Sequence, residues 1–188
     1  LPKQEKTINL GEVTEYQKIL NSRLNEYKSL KFQWSSLSEY QLVESKELRS
    51  AFYTIKMDVK RTSIPNELIS HLSNNNNDEM NIKKASFLFK KVLKNILKTF
   101  SIWNYRIRYT QGINEIAVPF VCVALYGIIN TVVSKSEQNI GLSEFINKDS
   151  GFGDSFSNIK KSFDNLSSNL IDLIDEKEAI AFWCFVSF

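Results

Sequence analysis

The sequence predicts an all-α domain without a sheet, built from about six helices. Three observations carry this reading. Apolar residues recur at three- and four-residue steps over most of the chain, which is the period of one helix face. No run shows the strict apolar–polar alternation of a half-buried strand. Several helical patterns open on Ser, Thr or Asp with Gln or Glu three positions later, the spacing of a capping box that satisfies two backbone end groups reciprocally. A length of 188 residues suits one well-buried domain and is short for two.

Thr14 with Gln17 has the capping spacing, and behind it Tyr16, Ile19, Leu20, Leu24, Tyr27 and Leu30 make one apolar stripe. A second start at Ser38 with Gln41 leads through Val43, Leu48 and Phe52 towards Ile55. Residues 70–81 change character, because Asn74 to Asn77 is a run of four asparagines flanked by Ser73 and Asp78. So polar a stretch reads as an exposed loop inserted within the domain. The pattern from Ile82 to Trp103 is the strongest. Ala85, Phe89, Val92, Leu93, Ile96, Leu97 and Phe100 line one face, while Lys83, Lys84, Lys90, Lys91, Lys94 and Lys98 occupy the other. A lysine face of this kind is expected to be solvated, and is a candidate contact for anionic lipid or an acidic partner.

From Gly112 to Val133 the chain is apolar, and Pro119 inside it predicts a kink or local break, since proline removes a backbone donor and crowds the preceding turn. Residues 134–154 are polar and end in Gly151, Phe152 and Gly153, which superficially resembles a glycine-rich phosphate loop. No strand precedes it and no lysine follows in Walker position, so it reads as a linker. Phe156, Ile159, Phe163, Leu166 and Leu170 form one further helical pattern. The last is expected to start at Asp175, capped with Glu178, and to end in Ala181 to Val186. That stretch is apolar almost all round and is expected to be buried on every side. Little chain follows to bury it, so the sequence reads as lacking further C-terminal helices.

Composition narrows the function classes. Hydrophobic content of 43% and charged content of 24% are ordinary for a soluble globular protein. With 24 Lys+Arg against 21 Asp+Glu, a net charge of +3 is too balanced to predict nucleic-acid binding. Cys122 and Cys184 lie far apart among apolar neighbours and are expected to be buried, reduced thiols, which points to a reducing compartment. One histidine and two scattered cysteines offer no plausible zinc ligand set. The polar stretch Leu1 to Leu10 does not read as a signal peptide. Ile116 to Val133 is borderline in length for a membrane span, but Asn114 and Glu115 ahead of it and Pro119 inside it favour a buried core helix.

Two constellations carry chemistry. In the first, Ile55, Asp58 and Arg61 follow one another at three-residue steps, with Thr62 next and Pro65 shortly after. An aspartate three residues before an arginine can hold the guanidinium in a fixed pose, because the planar fork matches a carboxylate. Pro65 places Arg61 at an element's end, free to project. Taken alone the pair reads as an ordinary surface ion pair. The second constellation is Tyr109-Thr110-Gln111-Gly112-Ile113-Asn114-Glu115. Its glycine permits a sharp turn into the apolar helix. A neutral amide such as that of Gln111 can donate to a phosphate oxygen and accept from a water, which orienting a hydrolytic water requires. Taken alone this string reads as a turn and an N-terminal cap.

Together, Ile-x-x-Asp-x-x-Arg and, about fifty residues later, Tyr-x-Gln-Gly-Ile-Asn-Glu entering a proline-bearing apolar helix resemble the paired signature of the TBC domain family. Ala181-Phe182-Trp183-Cys184-Phe185 is similar to a segment recurrent near the middle of that domain. Tyr27, Leu30, Trp34, Leu48 and Arg49 resemble its start. The likeness runs from about Leu20 to the end, so residues 1–188 read as one irregular multi-helix TBC domain, its N-terminal to middle portion, without its C-terminal helices and with 70–81 as an insertion.

The resemblance implies a GTPase-activating protein for a Rab-type small GTPase in its GTP form, acting in vesicle trafficking. It implies no enzyme by itself and no cofactor of its own, since the partner holds GTP and Mg²⁺. Arg61 would reach in trans to the phosphates as an arginine finger, and Gln111 would orient the attacking water as a glutamine finger. Asp58 and Tyr109 would position them, with Ile55 anchoring the arginine segment in the core. The expected location is cytoplasmic, with recruitment to endomembranes through the partner or the Lys83–Lys98 face. The alternatives are a catalytically silent Rab-binding or scaffold module, and, outside the family, a helical adaptor presenting its lysines. Intact Arg61 and Gln111 favour the activator, in which the two should share one groove.

Overall fold

The computed structural model describes residues 10–72, 79–138, 159–160, 163–164 and 166–188. Among them the chain forms eight delimited helices and no strand, with Ile159 and Phe163 helical as well. The helices are α1 (Leu10–Ser35), α2 (Glu39–Glu44), α3 (Lys46–Arg61), α4 (Asn66–Leu72), α5 (Glu79–Trp103), α6 (Ile113–Tyr126), α7 (Ile129–Gln138) and α8 (Ser168–Val186). The all-α class is as expected; the number of helices exceeds six because two patterns divide and α4 arises outside any predicted pattern, while the pattern from Phe156 to Leu170 gives no delimited helix of its own among the described residues. Ser38 and Gln41 do form a capping box on α2, with bonds of 3.2 Å and 2.9 Å between each side chain and the other's backbone N–H. That helix stops at Ser45, however, where the backbone leaves helical angles before α3 begins. No residue of α2 is buried, so packing does not hold it in line with α3.

The second division is at Gly127. Pro119 neither ends nor interrupts α6, which runs through it to Tyr126. Pro119 faces solvent, while Ala117, Val121 and Leu125 on the opposite side are fully buried. Burial of that face outweighs the loss of one backbone bond at the proline. Of the residues expected in the inserted loop, 70–72 belong to α4 and 79–81 to α5; the asparagine run lies outside the described residues, as do Phe156 and most of the 134–154 linker.

α5 is the centre of the fold, packed against α1, α3, α4, α6, α7 and α8. Its expected apolar face is buried, and Leu88 is buried with it. The lysine face differs from expectation. Lys84 is buried, only Lys94 is exposed, and Lys83, Lys90, Lys91 and Lys98 are half-buried. Lys98 lies over the rings of Trp34 and Phe52 at 4.7 Å and 4.5 Å, where its stem covers apolar surface and its ammonium meets the aromatic faces.

Two capping expectations fail for one reason. α1 begins at Leu10, upstream of Thr14, and α8 begins at Ser168, upstream of Asp175. The three-residue capping spacing also puts two side chains on one helix face, and in α8 that face turns inward. Glu178 is 1% exposed. Its Oε1 accepts from the Tyr27 hydroxyl and from Lys31, both at 2.6 Å, and its Oε2 accepts from Asn95 Nδ2 at 3.0 Å. Lys31 also reaches Asp175 at 2.9 Å. This polar knot ties α1, α5 and α8 together inside the core. Burial lifts the Tyr27 hydroxyl well above the usual phenol range, and the neighbouring Glu178 charge adds to this, so Tyr27 stays a donor.

The apolar end of α8 is not buried on every side. Ala181, Phe182 and Phe185 are buried, with Phe182 5.1 Å from the Tyr27 ring and Phe185 5.3 Å from that of Phe100. Trp183 is half-buried, its indole N–H donating to the Arg23 carbonyl at 2.9 Å, and Phe188 is 91% exposed. Cys184 is exposed and Cys122 half-buried, so neither is the fully buried thiol expected. Among the described residues no helix is long and apolar enough to cross a membrane.

Removing one member of a buried ionic knot leaves the others unpaired, at a cost of about 3–5 kcal/mol. Glu178→Ala is therefore expected to lower the urea unfolding free energy by about that much. Tyr27→Phe, which deletes one bond to a charged group, should cost about 1.5–3 kcal/mol. A loss below about 1 kcal/mol for Glu178→Ala would show that the knot contributes no more than a surface pair.

Candidate functional site

The C-terminal turn of α3 and the segment between α5 and α6 meet on one carboxylate. Ile55 is fully buried and fixes the face that α3 turns inward. One turn on, Asp58 is 4% exposed and Arg61, the last residue of the helix, has a side chain 63% exposed. Thr62 leaves the helix, its backbone N–H and its hydroxyl both bonding the Asp58 carbonyl at 2.9 Å. The acceptor half of the Asp58–Arg61 pair is thus interior, which a three-residue spacing alone does not reveal.

The other partner comes from sharp backbone turns. After α5 the chain closes a turn in which Arg108 N–H bonds the Asn104 carbonyl at 2.7 Å. Arg108 itself is left-handed, with φ of 56°, a conformation that costs a non-glycine residue about 1–2 kcal/mol. Tyr109 then turns inward, and Thr110 to Ile113 form a β-turn closed by a 3.3 Å bond. Gly112 has φ of 99° and ψ of −19°, the angles required at the third position of a type II turn, where glycine carries no steric penalty. A Cβ at Gly112 would meet nothing within 4 Å, so the backbone angle and not lack of space selects glycine. Gln111 is left exposed at the apex of this turn, immediately before the N-terminus of α6.

Asp58 joins the two halves. Arg61 Nη2 donates to its Oδ1, and the Tyr109 hydroxyl donates to its Oδ2 at 2.7 Å. The Gly112 N–H lies close enough to favour the charged form of the same carboxylate. Asn114 closes the far side, with its Nδ2 donating to Thr62 Oγ1 at 3.0 Å and to Glu115 at 2.8 Å, and its Oδ1 3.2 Å from the Tyr109 hydroxyl. Burial alone would push the Asp58 carboxyl up. The bonds from Tyr109 and Arg61, the Arg61 charge and the Gly112 N–H outweigh it and hold the carboxyl below its usual range. Burial and the Asp58 bond and charge push the Tyr109 hydroxyl well above the phenol range.

All five residues singled out in the sequence therefore gather here: Arg61 and Gln111 exposed, Asp58 and Tyr109 buried between them, Ile55 in the core behind. Thr62 and Asn114 also belong to the site. Asn114 had the appearance of a helix cap, and its bond to Thr62 crosses 52 residues of sequence. Among the described residues no group of His, Cys, Asp and Glu could hold a metal ion.

The Rab-GTPase-TBC domain family model matches residues 13–188. The chain belongs to that family. No curated protein and no solved structure matches the chain. The match covers both halves of the site, and the all-helical architecture of the described residues is that of an all-α TBC domain. Membership carries a general function, activation of GTP hydrolysis by Rab GTPases.

Asp58 has a lowered pKa in the folded state, so its contribution to stability is present above the unfolded value of 3.8 and is lost as pH falls through the folded value. Asp58→Asn, which keeps the shape and removes the charge, should cost about 1–3 kcal/mol at pH 7. The gap between wild type and variant should narrow as pH falls below about 5. Denaturant melts at several pH values would reveal this, and a gap that stays constant with pH would show the carboxylate to be unimportant as a charge.

Proposed function

We propose that this domain activates a Rab-type GTPase in its GTP form by a two-finger mechanism, with Arg61 and Gln111 as the fingers. The observation that carries the reading is the shared Asp58 carboxylate, which holds Arg61 on one oxygen and Tyr109 on the other, with the Gly112 N–H beside them. Arg61 is held by this carboxylate, and Gln111 is exposed on the turn between Tyr109 and Gly112.

The chemistry fits these parts. Phosphoryl transfer asks for positioning and charge stabilisation more than covalent chemistry. Arg61 Nη2 is engaged with Asp58, and the rest of the exposed guanidinium can reach phosphate oxygens in trans, where charge builds in the transition state. Gln111 can donate its amide N–H to the γ-phosphate region and accept from the attacking water. Asp58 biases the arginine towards one rotamer, which lowers the entropy lost on docking. GTP and Mg²⁺ belong to the partner, and the domain is an activator with no turnover of its own. On this reading the protein works in the cytoplasm at trafficking membranes to which the GTPase recruits it. The silent scaffold reading is disfavoured by the same anchor, which a purely binding module has no need to maintain around an exposed arginine.

Single-turnover GTP hydrolysis, measured across a panel of Rab-type GTPases, tests this. It should be run on the 188-residue chain. An arginine finger is worth about 10³–10⁵ in rate, so Arg61→Ala should remove nearly all stimulation. Arg61→Lys should be almost as poor, because it keeps the charge without the planar fork. Gln111→Ala should be severely impaired, and the double variant little worse than either single one. Arg61 lies mostly in solvent, so its loss should cost about 1 kcal/mol or less in stability, a shift of roughly 2–4 °C in Tm. Stimulation by Arg61→Ala at the wild-type rate would overturn the proposal.

A further inference from the structure

The half-buried lysines of α5 line a concavity. A groove of about 570 Å³ runs along α5 beside α3 and beside Ile159, Lys160 and Asp164, with Val59, Phe87 and Ile159 among its apolar walls. Among the described residues Lys83, Lys90, Lys91, Lys94 and Lys160 stand around it, against one acid, Asp164. Lys83 is paired with Glu79 at 2.8 Å, and Lys90 Nζ donates to the Lys60 carbonyl at 3.0 Å, which leaves its charge uncompensated. Among the described residues Lys91, Lys94 and Lys160 have no carboxylate partner.

We propose that this groove is a docking site for a short acidic peptide segment of a partner protein, with one bulky apolar side chain seated on the Val59–Phe87–Ile159 wall and carboxylates meeting the lysines. Four features select that occupant. The excess of ammonium groups calls for an anion by charge complementarity. The apolar wall calls for an apolar group on the same ligand, which a simple phosphate lacks. The cations are lysines, compact point charges suited to carboxylates in varied poses, whereas phosphopeptide sites are typically built on arginine forks. The lysines also converge on a concave surface, with Lys83, Lys90 and Lys91 half-buried and Lys94 and Lys160 exposed at its edge, whereas a bilayer surface is met by protruding cations on an open face. From Lys83 to Lys94 the groove follows α5 for about 16 Å, room for roughly five extended residues. Burial, with Lys91, Lys160 and Lys56 close by, lowers the affinity of Lys94 for its proton, and an arriving carboxylate relieves that crowding.

The proposal does not rest on the finger mechanism, since none of these lysines belongs to the Asp58 anchor. To test it, a phage-displayed library of random dodecapeptides is panned on the wild-type chain and on Lys90→Glu/Lys91→Glu/Lys94→Glu. Wild type should enrich peptides with two or more acids flanking Phe, Leu or Trp, and the variant should not. A synthesised winner should lose about tenfold or more in affinity on the variant, and a smaller factor on the neutral Lys91→Gln/Lys94→Gln, which guards against misfolding of the charge-reversed chain. Replacing the peptide's aromatic with Ala should weaken binding as well. Enrichment of peptides without acids, or equal binding to both chains, would overturn the proposal. So would failure to enrich any peptide while the same lysines control sedimentation with vesicles containing about 20 mol% phosphatidylserine, since the surface would then be a lipid contact.

Discussion

The enclosure of α5 governs the rest of the structure. A helix of 25 residues flanked by six others cannot confine its interior to one stripe, so polar residues are carried inside with the apolar ones. Each then requires a partner, because an unpaired buried polar group costs about 1–3 kcal/mol. Asn95 finds Glu178, Thr99 accepts the Trp34 indole N–H at 2.9 Å, and Ser101 donates to the Leu97 carbonyl at 3.0 Å. These bonds lock α1 and α8 in register against α5. With α3 and α6 also laid on α5, the C-terminus of one and the N-terminus of the other meet at one end. The candidate site is what that meeting creates.

The buried polar groups divide into two assemblies with different tasks. Around Glu178 everything is interior, and the assembly serves only the fold. Around Asp58 the carboxylate is interior but Arg61 is in solvent, so the stiffness of the core is transmitted to a side chain at the surface. Arg108 adds a further constraint, since its left-handed backbone is sustained only by the turn that delivers Tyr109.

Much of this was legible in the residues, and the exceptions have identifiable causes. The helical period located the main elements, and the two motifs marked the five residues that the fold gathers. What periodicity does not convey is how many sides of a helix are covered. Lys84 and Glu178 sit where a single-faced helix would place solvent-exposed groups, and both are interior because neighbours wrap the other side. Element ends were the weakest reading. Ser45 carries no strong breaking signal, and Pro119 carries a strong one that burial of Ala117 and Val121 overrides. The Asp58–Tyr109 bond spans 51 residues and could be anticipated only by resemblance. The Thr62–Asn114 bond had no signal beyond two polar residues standing next to recognised ones.

A single carboxylate with two oxygens has one orientation to offer. Rotating Asp58 to improve its hold on Arg61 would draw the other oxygen away from Tyr109, so the end of α3 and the turn that leads into α6 cannot be adjusted separately. The carboxylate works as a common handle for both segments. Any change in their spacing would have to come through the seating of α3 and α6 on α5.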